Sequence, residues 1–466
     1  MLAHHTGRPG GADWHALLLA DPLATLMAAR RRHGDLAVLT DGVPVLSRGL
    51  GTAGCVAAFG AANVREVLVD AETFGRPATM AERDGLPSVV GALSSGLFSM
   101  GGAVHRERRR AFGPVFTRRA AGRCVDLVAA ETAALTGSWR PGVVVGLCEQ
   151  MNRLARALLG GLLFGTTAEV RGLGDGCHRL LALRRRYAAT GPPDGRLRSG
   201  LHAEIAAVGG GLHTALRARI GHHRAPGRPP GEAGCLLARL SLVRDEAGRL
   251  LPEGELAAHA NAFFLAGSEP LAAALVWTIL LLTQLDDLRG ELCERLRSGE
   301  GADARGRELL EAVARESLRV LPSNAVMVRV TTREALLGGH RLPPRCEVLV
   351  SPFVAHRAFV GDAQAATFDP GRWCSVRPPA FDYLPFGAGG RYCLGRDLAM
   401  TALTGTLATI LRRWDVTLAG DQEIDWRLRA TLVPADEVRL LVHEPGRGPA
   451  GGGRAGGPLR KLVRLP

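Results

Sequence analysis

The chain has 466 residues, 46% of them hydrophobic and 5% aromatic, enough for one large globular domain or two to three ordinary ones. Its formal net charge is +13, almost all from arginine, but the arginines are dispersed and form no basic stripe interleaved with aromatics, which argues against a nucleic-acid binder. Its nine cysteines follow no pairing pattern, which argues against a disulfide framework and fits a reducing cytoplasm.

Residues 1–20 read as an N-terminal segment, and the polar, glycine-rich stretch Met1 to Asp13 is not a signal peptide. Asp21-Pro22 supplies an N-cap and a first helical position for a helix to about Arg32. Two short strands, Leu36 to Thr40 and Val43 to Ser47, precede a helix over Ala61 to Ala71. Pro77 to Met100, which contains Phe98, is too apolar for a solvated linker and too irregular for one helix. Long ordered loops of this kind are often functional. His105 to Phe116 opens a basic helix in which His105 and Arg109, four apart, share a face. Ala120 to Leu163 carries two or three amphipathic scaffold helices, and Glu169 to Arg224 is helical with glycine interruptions. His222 and His223 read as surface histidines, and Ala225 to Gly234 as a connection within one domain.

Pro252 to Leu285 is the longest helical pattern. Its mostly apolar part, Leu271 to Leu285, is 15 residues long and follows Ser268, Glu269 and Pro270, so no membrane anchor is expected. Phe263 lies one turn before the sequence Ala266-Gly-Ser-Glu-Pro270. A glycine, an acid and a proline inside an apolar helix are locally unfavourable, and such conflicts often mark functional sites. Pro270 also lacks an N–H, which frees the carbonyl near residue 266. In the helix Glu308 to Val320, Glu316 and Arg319 are three apart on one face, and Leu321-Pro322 follows. Asn324 to Arg329, with Ala325 and Val326, leads into strands near Glu334–Leu337 and Glu347–Val350.

Phe386-Gly-Ala-Gly-Gly-Arg-Tyr-Cys-Leu-Gly395 places Cys393 in a glycine-rich loop before an apolar helical run, Leu394 to Leu411, with Asp397 in its first turn. The positive end of a helix favours a thiolate. Gly389 and Gly395 leave room for a flat group at the sulfur, Arg391 can pair with a carboxylate of that group, and Phe386 can shield the sulfur from water. A shielded single thiolate suits the proximal ligand of a haem iron. A dinucleotide loop is excluded because Tyr392 stands where the third glycine belongs, and no short-spaced Cys or His completes a zinc site. The chain then runs through a strand-rich end containing Thr431 and Leu432 to a Gly/Pro/Arg-rich tail, 445–466, expected to be disordered.

The cysteine loop resembles the signature F-x-x-G-x-R-x-C-x-G of the cytochrome P-450 haem-thiolate enzymes, matched by Phe386, Gly389, Arg391, Cys393 and Gly395. Glu316-x-x-Arg319, Arg372 in Phe368-Asp-Pro-Gly-Arg-Trp373, and Ala266-Gly267-x-Glu269 match three further motifs of the family in its order. The resemblance covers about residues 20 to 444 and implies a mainly α fold with small β sheets, with haem b between the long helix and the cysteine loop. The haem domain is expected over 21–444. Cys393 is implied as the axial thiolate and iron ligand. His105, Arg109, Arg329 and Arg391 are implied as haem contacts. Glu316, Arg319 and Arg372 are implied as a structural ion network. Phe98, Phe263, Ala325, Val326, Thr431 and Leu432 are expected to line the substrate pocket.

Ala266, Gly267, Glu269 and Pro270 are implied to lie over the distal haem face, where the family uses an acid and a threonine hydroxyl to order water. Pro270 occupies the threonine position and has no hydroxyl, and Ser268 points about 200° away on a helical wheel. Water ordered by the opened helix, a substrate hydroxyl, or oxygen taken from peroxide are the three ways around this loss. Glu269 would repel a carboxylate substrate, which counts against fatty-acid peroxygenation. The implied function is a monooxygenase that takes O2 and electrons from a separate ferredoxin or flavodoxin system, with the exposed arginines among Arg106, Arg108 and Arg110 as candidates to meet an acidic carrier. The region Ser323 to His356 looks most like terpene-oxidising members, so a small apolar terpenoid is the expected substrate. The alternatives are peroxide-driven or atypical oxidation, and a non-catalytic haem or ligand-binding protein.

Overall fold

The computed structural model describes residues 14–41, 52–77, 86–190, 195–226, 234–297, 304–361, 363–448 and 451–465. The expected strand Val43 to Ser47, the first 13 residues, and parts of the stretches 77–100 and 225–234 lie outside the described residues.

The molecule is mostly helical and is built around the helix Glu253–Leu282, with Pro252 as its cap residue. Glu253 and Glu255 sit at the positive end of its dipole. Thirty residues make it about 45 Å long. It is apolar around most of its circumference, as a helix buried on all sides must be. By length and composition it could cross a membrane, yet 72% of its most apolar window is buried inside the protein. Its first half, including Leu256, Ala260 and Phe264, packs in one core with the helices Ser88–Ser94, Ala168–Ala189 and Gly195–Arg224. Its second half, from Leu271 onward, packs in another core with Leu147–Phe164, Ala304–Val320 and Arg396–Arg413. The segment Ala266–Pro270 therefore falls at the seam between two cores.

Five strands form the larger sheet in the order Leu36–Asp41, Gly54–Ala58, Cys346–Val350, Met327–Thr331, Phe74–Gly75. Gly54–Ala58 runs parallel to Cys346–Val350, and the other pairs are antiparallel. Gly54–Ala58 is buried on both faces, so it lacks the alternation that would have marked it in the sequence. The helix Pro22–His33 starts as expected, with Asp21 accepting a hydrogen bond from the Ala24 N–H at 2.9 Å.

Within the tail, residues 451–465 are packed rather than disordered, and the boundary at residue 444 is corrected accordingly. Ala455–Gly456 pairs in parallel with Gln422–Glu423, and Leu459, Leu462, Val463 and Leu465 are buried in the larger core. The glycines that suggested disorder are what allow this packing. A Cβ on Gly453 would stand 1.9 Å from the Gly420 carbonyl oxygen, and Gly457 turns the chain at φ +73°. The strap also caps a buried cation: Arg357 donates to the carbonyls of Leu462 (2.7 Å), Val320 (2.9 Å) and Phe353 (3.2 Å).

Candidate active site

The cysteine loop is a set of tight turns closed by its own backbone. Cys393 N–H donates to the Phe386 carbonyl at 3.0 Å, and Gly387 N–H to the Leu384 carbonyl at 3.0 Å. Gly389 adopts φ +67°, and a Cβ there would stand 2.0 Å from the Leu68 carbonyl oxygen. The expected reason for this glycine is therefore corrected: it lets the loop rest on the end of the helix Ala61–Val69, while open space remains at Gly395. The Cys393 side chain is accessible, yet enough protein surrounds it that burial raises its pKa. The Gly395 N–H and the Arg109 charge pull the other way without overcoming burial. The helix start alone does not offset burial here.

His105, Arg109, Arg329 and Arg391 converge beside this loop from three elements: the helix Gly102–Phe112, the strand Met327–Thr331 and the loop itself. Arg109 donates to the Tyr392 carbonyl, Arg391 to the Met100 carbonyl at 2.6 Å, and Arg329 to its neighbour Val328 at 2.9 Å. Among the described residues no carboxylate forms an ion pair with any of the three arginines, and the buried Nε of Arg391 has no partner. Their charges bear on one another. Burial and Arg391 bring Arg329 down to about 10, and burial followed by Arg391, Arg109, Arg329 and Arg106 brings His105 down to about 4. A cluster of cations without an anion, next to an accessible sulfur, fits a group bearing carboxylates, such as haem. Arg106, Arg108 and Arg110 pair instead with Glu72, Glu255 and Glu246 of this chain. The half-buried Arg108 is thus a structural residue, which corrects its reading as a free surface cation.

On the long helix, Ala266 is exposed and the helix continues through Pro270. Gly267 packs against Leu159, where a Cβ would come within 2.7 Å of a methyl carbon. Ser268 is buried, and the Ser323 hydroxyl donates to the Pro270 carbonyl at 2.9 Å. Glu269 is held by both nitrogens of Arg185, at 2.6 and 2.8 Å. The pair borders a cavity of about 300 Å3 together with Asn152, Thr431 and Arg429. Sequence reasoning missed Arg185, because nothing in the chain near 185 points to residue 269.

Phe98 and Phe263 meet edge to face at 6.5 Å, and Phe112 and Phe116 meet Phe263 at 5.7 and 5.1 Å. Val326 is half-buried, and Thr431 lines the cavity beside Glu269. Ala325 and Leu432 are corrected: both are fully buried in the larger core, where the Leu432 carbonyl accepts from Trp277 Nε1 at 2.8 Å and the Ala325 carbonyl from the Ser351 hydroxyl at 2.8 Å.

Glu316, Arg319 and Arg372 meet as expected. Arg319 forks onto Glu316 at 2.8 and 2.9 Å, and Arg372 approaches at 3.4 Å. Trp373 Nε1 and the Asp369 N–H, both missed from the sequence, complete the carboxylate's partners at 3.0 Å each. His356 was missed as well. Its Nε2 accepts from the Leu384 N–H at 2.7 Å while its Nδ1 faces the Arg319 carbonyl at 3.1 Å, so one neutral tautomer ties the ion network to the cysteine loop.

Burial brings His356 down to about 3. The folded value lies below the unfolded one of about 6.5, so the unfolded chain takes up the proton first and stability falls as pH drops below that value. His105, His178, His259 and His443 are displaced the same way. Unfolding free energy should fall by at least about 1.4 kcal/mol between pH 7.5 and 5.5, and the His356→Gln variant should show a shallower slope. An equal slope in urea titrations of both proteins would contradict this.

A fold of two helical cores and small sheets around one long helix, with an accessible cysteine in a glycine-rich loop and, among the described residues, three neighbouring arginines without a carboxylate partner, fits a haem-thiolate protein. The Cytochrome P-450 family model matches residues 213–442. Cyclooctatin synthase of Streptomyces melanosporofaciens is 28% identical over 88% of this chain and 89% of its own. Pentalenene oxygenase of Streptomyces avermitilis is 26% identical over 72% of this chain and 77% of its own. A six-coordinate cytochrome P-450 from Thermus thermophilus superposes with a TM-score of 0.65 at 25% identity, covering 91% of this chain and 98% of that one. CYP102L1 superposes at 0.74 over 91% and 99% at 20% identity, which speaks for the fold alone. The chain belongs to the cytochrome P-450 family, is an oxidoreductase of the monooxygenase class, and its cofactor is haem with a cysteine thiolate on the iron.

Proposed function

We propose that Cys393 supplies that thiolate, and that the enzyme inserts one atom of O2 into a small apolar natural product, a terpenoid as first choice. Electrons come from a separate ferredoxin or flavodoxin system. The observation that carries this reading is the accessible Cys393 sulfur beside Arg109, Arg329 and Arg391, which no carboxylate of the described chain neutralises. Haem, when bound, supplies the oxygen chemistry. The chain's residues do the rest. Arg109, Arg329, Arg391 and His105 would hold the cofactor's carboxylates, and the Gly395 N–H polarises the sulfur. The small, exposed Ala266 leaves room for the cofactor, and Phe98 and Phe263 make the substrate space apolar. Glu269, steadied by Arg185 at the rim of a cavity, is the candidate proton entry. The terpenoid choice draws on the relatives named for cyclooctatin and pentalenene. All nine cysteines are free, which supports a cytoplasmic location.

The second reading, a peroxide-driven enzyme, is favoured by one observation: neither nearby serine replaces the hydroxyl absent at Pro270, since Ser268 is buried and Ser323 is engaged with the Pro270 carbonyl. Turnover of cyclic terpenes with NADPH and redox partners, set against turnover with hydrogen peroxide, separates the two. Pro270→Thr should raise product formed per NADPH, because it restores a hydroxyl that can pass a proton. Unchanged coupling would show that proton delivery here does not depend on a hydroxyl at 270.

A further inference from the structure

Residues 93–100 are fastened to the long helix by side chains that no motif predicted. Asn261 Nδ2 donates to the Leu93 carbonyl at 3.1 Å, and the Leu97 N–H donates to His259 Nδ1 at 3.0 Å. Arg391 holds the far end at the Met100 carbonyl. Between these points the backbone lies directly on the helix. A Cβ on Gly96 would stand 2.7 Å from the Ala258 carbonyl oxygen and 2.8 Å from Ala262 Cβ, one turn before Ala266.

His259 itself is held in one state. It is fully buried, and burial lowers its proton affinity, so the ring is neutral. Nδ1 accepts from Leu97, which places the proton on Nε2, 3.3 Å from Glu255 Oε1. Glu255 in turn takes Arg108. The ring stacks on Phe263 with centroids 6.1 Å apart and meets Phe112 at 4.5 Å. Phe98 is the residue after Leu97. It keeps 53% of its surface accessible while its edge rests on Phe263.

We propose that His259 is a positioning residue that sets substrate size: by accepting the Leu97 N–H it holds residues 93–100 on the long helix and fixes Phe98 as a wall of the substrate space. This rests on the reading of the site as a monooxygenase pocket. The hydrogen bond is buried, so its loss leaves the Leu97 N–H unsatisfied and loosens the middle of the segment, beside Phe98, while Leu93 and Met100 stay anchored. His259 does not touch the reacting atoms. Its effect is on discrimination between ligands that reach Phe98 and ligands that do not.

Imidazole and 4-phenylimidazole are the probes, each binding haem iron through a ring nitrogen and read by the Soret shift. Imidazole is too small to reach the wall. His259→Ala should keep its imidazole affinity but lose about tenfold of its preference for 4-phenylimidazole, and amide exchange over residues 93–100 should quicken. Phe98→Ala should show the same loss, with the double variant no worse than either single one. His259→Asn keeps an acceptor near the Nδ1 position but no donor to Glu255, and should stay within about threefold of the wild-type preference. An unchanged preference in His259→Ala would overturn the proposal, as would His259→Asn behaving like alanine or additive losses in the double variant. Failure of the underlying reading would show separately, as a wild-type protein without the thiolate carbon monoxide band, and would remove the proposal with it.

Discussion

Glu316→Ala should yield a protein that neither folds stably nor retains haem. The carboxylate is completely buried and receives Arg319 twice, Arg372, Trp373 Nε1 and the Asp369 N–H. Its removal leaves two buried guanidinium groups with no counter-charge, and breaking one partner of such a set costs about 3–5 kcal/mol. That is a large share of the roughly 5–15 kcal/mol that separates folded from unfolded protein. The damage is directional as well. Arg319 spans the carbonyls of Ala365 and Thr367, and His356 links the Arg319 carbonyl to Leu384, nine residues before Cys393. Glu316→Gln keeps the oxygen acceptor and loses the charge, so it should fall between wild type and alanine. Haem-to-protein ratio and thermal midpoint measure both effects. An alanine variant with wild-type haem content would contradict the account.

Deleting residues 451–466 should be nearly as severe. Leu459, Leu462, Val463 and Leu465 are buried, and each contributes about 1.5–3 kcal/mol as an upper estimate. The deletion also strips the Leu462 carbonyl from Arg357 and the backbone partners of Gln284, whose amide bonds Gly453 and Ala455 at 3.2 and 2.8 Å. A buried cation would lose one of its three carbonyls. The thermal midpoint should drop by on the order of 10 °C, with aggregation on expression as the cruder sign. A truncated protein melting within about 2 °C of the full chain would show that the strap is an accessory.

The fold and the cysteine loop were legible because they rest on fixed spacings. Cysteine, arginine and glycine at set offsets, and Glu316 three residues before Arg319, place side chains without any knowledge of the rest of the chain. What was hidden depends on contacts across long separations. Arg185 reaches Glu269 from 84 residues away, His259 meets Leu97 from 162, and Trp373 meets Glu316 from 57. The tail was misread for a different reason. Glycine and arginine are common in unstructured segments, but here the glycines supply close approach while a few leucines and a valine supply burial. Ala325 and Leu432 show the limit of a matched motif: it gave their neighbourhood but not the direction of their side chains.

The measurement that tests the central claim most directly is the visible difference spectrum of the reduced protein with carbon monoxide, taken on wild type and on Cys393→Ser. The account predicts the red-shifted Soret band of thiolate-ligated haem in the wild type and its loss in the variant. A shorter-wavelength band in freshly prepared wild type, typical of histidine or protonated-thiol ligation, would contradict the assignment of Cys393 as the axial ligand.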